Sequence, residues 1–415
     1  MKIAWSGQHT RTKALPILIK ALALIKKTVD LQRRPSAISH GSIATFNLQP
    51  ITVDVLGIGS QTGKWKRLAR RYGIDDAFTW HGWLAKDEAV NIVSSADIFV
   101  ITSLKDLTST VLLEALSRGK PVVCIDHCGF LDVVDDTCGI KIPVARPKVI
   151  IKAFADAILK LMDDDYRHRL SDGALKKAAE YKWDDKLKRL EEIYGGRGKK
   201  VLMSCYTCSP YQGSEPGMGW RFIRGVAKHN EVWAIVEEEK WRKDIEKYLN
   251  EHQDELKNVH WNFLHKPRAR MLRKFWPPSY YWFYRIWQRR AYKLANRLHH
   301  EVKFDVVHQV TMAGFREPGY LWKMKDVKYV WGPFGGLGYT DLRLLPLAGF
   351  WGAIELLVRN IINYCHSHFL VRPRLAARCA SSTNSLIAAT LENKRFAKKF
   401  WSVESGIICE IGVDY

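Results

Sequence analysis

Short apolar runs alternate with helical stretches along this chain, and the alternation occurs twice. In residues 1–160, the runs 3–5, 51–56, 77–80, 98–101 and 121–125 read as strands, and 15–25, 64–72, 88–94 and 111–117 carry helical spacing between them. A βαβα order predicts a parallel sheet covered by helices, because a parallel neighbour is reached only through a crossover connection. Three more helical stretches follow, 147–162, 166–180 and 186–194. Then comes Gly195-Gly196-Arg197-Gly198, a flexible breaker. The rhythm restarts with a strand at 201–205, a helix at 217–227 and a strand at 232–236, with further strands at 259–263, 306–308 and 329–331. The expected architecture is therefore α/β. It has two Rossmann-like domains, 1–194 and 199–415, joined through 195–198. Such sheets bind ligands at the C-terminal ends of their strands, and the cleft between two domains is the default site.

Composition supports this and narrows the partners. The 415 residues, 47% hydrophobic and 26% charged, fit a globular chain and exclude collagen, coiled coil and extended disorder. Eight scattered cysteines give one C-x-x-C pair, Cys205 and Cys208, without the second pair or the histidines a zinc site needs. They read as reduced thiols of a cytosolic protein. The first residues lack the apolar core of a signal peptide. The longest apolar run, 344–354, is followed by Glu355 and Arg359, so no spanning helix is expected.

The net charge is +22, and residues 199–415 carry +14 of it. The segment from Lys266 to His300 holds ten Lys/Arg, no acid and nine aromatics. Cations interleaved with rings suit a lipid headgroup surface. They also suit stacked nucleic acid bases, or a helix with rings in the core and cations in water.

Several loops carry candidate chemistry. Gly57-Ile58-Gly59 lies between a strand and a helix, where backbone amides can approach a phosphate, although a plain tight turn has the same sequence. The loop at residues 6–13 offers Arg11 and Lys13 near a helix start, where a cation opposes the helix dipole and so suggests a diphosphate ligand, with a plain solvated loop as the alternative. Asp106 and Glu114, with seven residues between them, fall at a strand end and one turn into the next helix, positions suited to sugar or ribose hydroxyls. The bland alternative is that Asp106 and Thr108–Thr110 cap that helix. Pro210–Trp220 (PYQGSEPGMGW) places three glycines in one strand-to-helix loop. His308 ends a strand, facing a ligand or satisfied in the core.

Taken together, these stretches resemble the retaining family 4 glycosyltransferases of the GT-B fold. Trp5-Ser6-Gly7-Gln8 through Lys13-Ala14-Leu15 is similar to the family's G-R-x(4)-K-G segment, Val55–Gly59 to its V-G-x-G turn, and His81-Gly82 to its F-x-G. Asp106 through Glu114 to Gly119-Lys120-Pro121-Val122-Val123 resembles the E-x(7)-E block with its G-x-P-V-V strand. These pieces belong to the family's second, nucleotide-binding domain, yet here they come first. Residues 199–415, with the Gly-rich loop, Asp305–His308, Trp331-Gly332-Pro333 and a terminal IGVDY, resemble the family's first, acceptor domain. The resemblance thus implies a circular permutation.

It further implies that Glu114 holds the nucleotide ribose, Asp106 binds donor sugar hydroxyls or lies near the anomeric centre, Lys13 neutralises the departing diphosphate and His308 faces the donor sugar. Gly7, Gln8, Arg11, Gly57, Gly59, Thr108, Thr110 and Val111 would line the donor. Gly213, Ser214 and Glu215 would lie beside the diphosphate or acceptor. Gln8 stands where the family has Arg, and Asp106 where it has Glu. The implied activity is hexosyl transfer from a nucleotide-sugar to a lipid-linked or glycan acceptor, with retention, no metal and no cofactor, peripheral on the cytoplasmic face of the membrane through Lys266 to His300. Nucleic acid is not an expected partner. The alternatives are a non-catalytic nucleotide- or nucleic-acid-binding protein, and a degenerate enzyme that binds nucleotide without transfer.

Overall fold

The structure is a computed structural model describing residues 1–32, 50–267 and 279–413. It forms two compact units. Unit one is Met1–Glu180 with Tyr339–Ile361, and unit two is Tyr181–Gly338 with Ile362–Tyr415.

In unit one the strands are β1 (Lys2–Ser6), β2 (Thr52–Leu56), β3 (Phe78–Gly82), β4 (Ile98–Ile101), β5 (Val122–Ile125) and β6 (Gly139–Ile142). They form one sheet in the order β3-β2-β1-β4-β5-β6, with every pair parallel. β4 (IFVI) and β5 (VVCI) are buried at every position. Helices on both faces leave a parallel strand no wet side, so its sequence is continuously apolar. Trp5, Trp65, Phe154 and Leu161 sit in the core beside the sheet. The strand order reverses between β1 and β4. The loops leaving those two strands therefore diverge to opposite faces and open a crevice at their C-terminal ends.

Unit two repeats the plan with β7 (Lys200–Ser204), β8 (Glu231–Glu237), β9 (Val259–Leu264), β10 (Val306–Gln309), β11 (Lys328–Phe334), β12 (Leu386–Ala388) and β13 (Gly406–Ile407). Their order is β13-β12-β11-β10-β7-β8-β9, again all parallel. The reversal falls between β7 and β10. The helix Trp183–Tyr194 buries Leu187 and Leu190 in this unit's core, along with Phe222 and Val226. Near the chain's end, Val413 bridges to Lys182, and its carbonyl accepts the Trp183 N–H.

The fold is thus α/β with two doubly wound parallel sheets. The boundary between compact units falls at Glu180/Tyr181 rather than at 195–198. Gly195 instead ends the helix Trp183–Tyr194 at φ +89°, a left-handed cap that glycine adopts without a Cβ penalty. The strands β6, β12 and β13 go beyond the expected set. They are two to four residues long, too short for a periodic signal.

The basic aromatic segment is partly built into unit two where it is described. Residues 268–278, with Phe275 and Trp276, lie outside the described residues. The helix Ser279–Val302 buries Tyr284 and Trp287 completely, and Trp287 donates its indole N–H to the Leu264 carbonyl at 2.9 Å. Arg285 pairs with the buried Glu317 at 2.6 Å, and Lys266 donates to the Tyr206 hydroxyl at 2.6 Å. Tyr281 and Trp282 remain half exposed. Among the described residues of the segment, Tyr284 and Trp287 face the core and Arg289, Arg290, Lys293 and Arg297 face outward, while Tyr280, Phe283 and Tyr292 are partly buried.

One helical stretch bears on the membrane expectation. The helical stretch Leu342–Phe369 runs 28 residues and contains an 18-residue window apolar enough to cross a membrane, by length and composition only. Glu355 and Arg359 interrupt the apolar run but not the helix.

Candidate functional site

At the reversal point of unit one, side chains from β1 and β4 tie two loops together. Trp5 at the end of β1 donates its indole N–H to Thr102 Oγ1 at 2.9 Å. The Thr102 hydroxyl in turn donates to the Lys13 carbonyl at 2.7 Å, and the Leu104 N–H donates to the Thr12 carbonyl at 2.7 Å. The loop carrying Lys13 is thereby fixed to the loop carrying Asp106. Lys13 Nζ forms an ion pair with the Asp106 carboxylate, both side chains about one-fifth exposed (21% and 20%). The lysine stem runs along Gly7, where an added Cβ would stand 3.6 Å from Lys13 Cδ. Ala14 follows at φ +46° and Ser109 lies at φ +75°. Both are non-glycine residues at positive φ beside the crevice, a conformation that recurs at functional sites.

Asp106 is not a helix cap. Its oxygens receive Lys13 and, at 3.1 Å, the Leu107 N–H, while Ser109 is the N-cap of helix Thr110–Leu116 and makes no capping bond through its side chain. Glu114 stands one turn into that helix, partly exposed, and lines a pocket with Ser6 at the end of β1, Val93, Val111 and Arg118. Thr108 is buried. Gly129 backs this loop, donating its N–H to the Leu107 carbonyl at 2.8 Å, and a Cβ there would fall 2.5 Å from the same oxygen.

The structure revises several expectations. Gly57 and Gly59 do not offer their amides outward. The Gly57 N–H donates to the Gly82 carbonyl at 2.7 Å and the Gly59 N–H to Thr62 Oγ1 at 3.1 Å. A Cβ on Gly57, at φ +110°, would fall 2.1 Å from the Gly7 carbonyl oxygen, and one on Gly59 2.6 Å from that of His9. These glycines are required because the loop after β1 passes directly over them. They position that loop and do not cradle phosphate. Arg11 lies 3.9 Å from Glu355 and packs its stem against Gly352, so it anchors the helix Gly349–Phe369. Gln8 is exposed.

In unit two the reversal point is bridged by Glu215, whose Oε1 accepts the Ala313 N–H at 2.7 Å from the loop after β10. Burial raises its carboxyl pKa. Gly213 and Ser214 are exposed just before it, with Ser214 at φ +56° and Met312 across the reversal at φ +61°. His308 does not face a ligand. It is fully buried, its Nε2–H donates to the Gly332 carbonyl at 2.8 Å, and its Nδ1 accepts from the Tyr194 hydroxyl at 2.7 Å. A carbonyl can only accept, so the ring is the neutral Nε2–H tautomer, and burial lowers its pKa to about 4. It is a satisfied core histidine.

One neighbour escaped sequence reasoning. His127 follows β5 in the HCGF turn, and burial lowers its pKa while nearby Asp106 and Asp126 oppose that shift. The only signal was its place two residues past a strand end, beside the block ending in Pro121-Val122-Val123. Among the described residues no group of three or more His, Cys, Asp or Glu is arranged to hold a metal ion.

This geometry sits in the part of the chain that known proteins share. Residues 2–177 match the family model for glycosyl transferases group 1, a span that falls within unit one. Among curated relatives, the D-inositol 3-phosphate glycosyltransferase of Corynebacterium urealyticum is 28% identical over 199 residues, covering 46% of this chain and 42% of that protein. The enzyme of the same name from Corynebacterium diphtheriae is 29% identical over 122 residues, covering 29% of this chain and 28% of its own. The chain spans less than half the length of these relatives. Among solved structures, the catalytic domain of cholesterol-α-glucosyltransferase from Helicobacter pylori aligns at 21% identity and TM-score 0.34, over 43% of this chain and 98% of that one.

Proposed function

We propose that the chain is a retaining glycosyltransferase moving a hexose from a nucleotide-sugar donor to a lipid-linked or polysaccharide acceptor. Unit one takes the donor. The observation that carries this reading is the Lys13–Asp106 pair at the β1/β4 reversal of the unit that matches the group 1 family, with Glu114 on the adjoining helix. Lys13 supplies fixed positive charge where negative charge develops as the diphosphate leaves, the form of electrostatic stabilisation that most lowers such a barrier. Asp106 exchanges Lys13 for donor sugar hydroxyls, and Glu114 accepts from the ribose hydroxyls. Unit two presents the acceptor through the loop at Gly213–Glu215. In this reading Lys13 does the work a metal would otherwise do, the enzyme needs no cofactor, and it works as a peripheral protein on the cytoplasmic membrane face. The chain order, with the donor unit first, is read as a circular permutation of the two-domain arrangement. The relatives' names add inositol phosphate to the acceptors worth testing.

A panel of nucleoside diphosphates and their sugars, read by thermal shift, tests the donor assignment, since a ligand that binds only the folded state raises apparent stability. Glu114→Ala should abolish the shift from the preferred donor. A full shift in that variant would defeat the assignment.

A further inference from the structure

The helix Gly349–Phe369 is built inside out for a protein in water. On its inward side lie Gly352, Leu356, Asn363 and Ser367, all buried, with Asn360 partly so. The polar groups there are satisfied. Asn360 accepts the Thr340 N–H at 2.9 Å and donates to the Thr340 carbonyl at 2.7 Å, and Asn363 donates to the carbonyls of Gly336 and Gly338. The outward side carries Phe350 (73% exposed), Trp351 (66%), Ile354, Leu357, Val358, Ile361, Ile362, Tyr364 and Phe369 (75%). At ~100° per residue these positions fill one continuous arc of about 160°. Leu342 before the helix and Val371 and Leu375 after it extend the same exposure. Polar groups inward and large apolar groups outward invert the usual pattern of a helix on a globular surface. Isolated exposed apolar side chains need no explanation, but a contiguous face does.

We propose that this face enters the outer layer of an anionic lipid bilayer, with the helix lying in the plane of the membrane. Charge complementarity selects the bilayer over a second copy of the chain. From Asp341 to Arg378 the bases are Arg343, Arg359, Arg372, Arg374 and Arg378 and the acids Asp341 and Glu355, a net charge of +3, with Arg343, Arg359 and Arg372 paired to Asp341, Glu355 and Glu317. Two copies meeting here would bring like charge together on chains that each carry +22. An anionic surface meets this net positive charge favourably while the rings and aliphatic chains leave water. The inward hydrogen bonds of Asn360 and Asn363 hold one side of the helix on protein, so lipid reaches only the other side and the helix does not span. The inference rests on the membrane reading of the proposed function and moves the contact from the Lys266–His300 segment to this helix.

The test uses the full chain and vesicles of phosphatidylcholine with about a third phosphatidylglycerol, read by flotation, with pure phosphatidylcholine vesicles as control. The triple variant Phe350→Ser/Trp351→Ser/Ile361→Ser changes only exposed side chains. Its partitioning should fall at least about tenfold, the change that ~1.4 kcal/mol produces, with unaltered circular dichroism. Cys365, the exposed cysteine among the described residues and on the same arc, carries an environment-sensitive dye. Its emission should shift to the blue on anionic vesicles. Four results would overturn the proposal: no flotation, equal flotation of the triple variant, resistance to alkaline extraction (a spanning helix), or a vesicle-free dimer that the variant dissolves. The nucleotide thermal shift, measured without lipid, shows separately whether the donor reading stands.

Discussion

Lys13→Ala is the most direct test of the charge arrangement at the β1/β4 reversal. In the unliganded protein Lys13 is held by Asp106, each side chain about one-fifth exposed. A nucleoside diphosphate arriving there gains an ammonium donor, and a charge-assisted hydrogen bond of this kind contributes about 1.5–3 kcal/mol. Removing it also leaves the Asp106 carboxylate uncompensated beside an incoming anion. Unit charges ~4 Å apart repel by about 1 kcal/mol in water and more in a partly buried site. The combined loss is ~2–4 kcal/mol, or about 30- to 1,000-fold in dissociation constant. Isothermal titration with UDP, GDP and ADP reads it directly. Asp106→Asn has the opposite sign for the bare diphosphate, because it releases Lys13 and removes the repulsion, so binding should hold or tighten even though sugar transfer falls. The double variant closes a cycle that isolates the pair's coupling. Lys13→Ala binding the best diphosphate within about twofold of the unaltered protein, or Asp106→Asn losing as much as Lys13→Ala, would refute the reasoning.

Other outcomes follow from the same structure. Gly57→Ala places a Cβ 2.1 Å from the Gly7 carbonyl oxygen at φ +110° and should cost more than ~3 kcal/mol in urea unfolding, weakening diphosphate binding as the Lys13 loop shifts. His308 gives an acid-sensitive fold. The unfolded chain protonates this ring near pH 6.5, whereas the folded protein resists until about 4. Stability is therefore full above pH 6.5 and declines by about 3 kcal/mol toward pH 4, and His308→Gln should flatten that slope in denaturant titrations at a series of pH values. Trp287→Ala, at a fully buried ring, should destabilise by about 3–5 kcal/mol, whereas Trp282→Ala, at a half-exposed one, should cost less than about 1. Equal effects would mean the basic aromatic helix is not docked as described.

What could be read before folding was whatever depends on local pattern. β4 and β5 announce themselves as IFVI and VVCI because a strand covered on both faces has no polar side, and the 98–101 reading coincides with the observed strand. Lys13 and Asp106 could each be placed at a strand end, but their meeting depends on β1 and β4 being sheet neighbours, a fact of topology 93 residues removed in sequence. The same non-local geometry explains the misreadings. Gly57 and Gly59 resemble a phosphate loop because both a ligand and a crossing backbone demand glycine, and only the structure shows that the crossing chain is Gly7–His9. His308 resembles a strand-end ligand until Tyr194 and Gly332 are found on its two nitrogens. The helix Gly349–Phe369 was hidden for a different reason. Counting unbroken apolar residues stops at Glu355, whereas a helix asks which side chains share a face. Glu355 and Arg359, four apart and paired at 3.1 Å, sit off the apolar arc and leave it intact. A hydrophobic stripe that looks like core in sequence is core only if something covers it, and here its polar edge is what the protein covers.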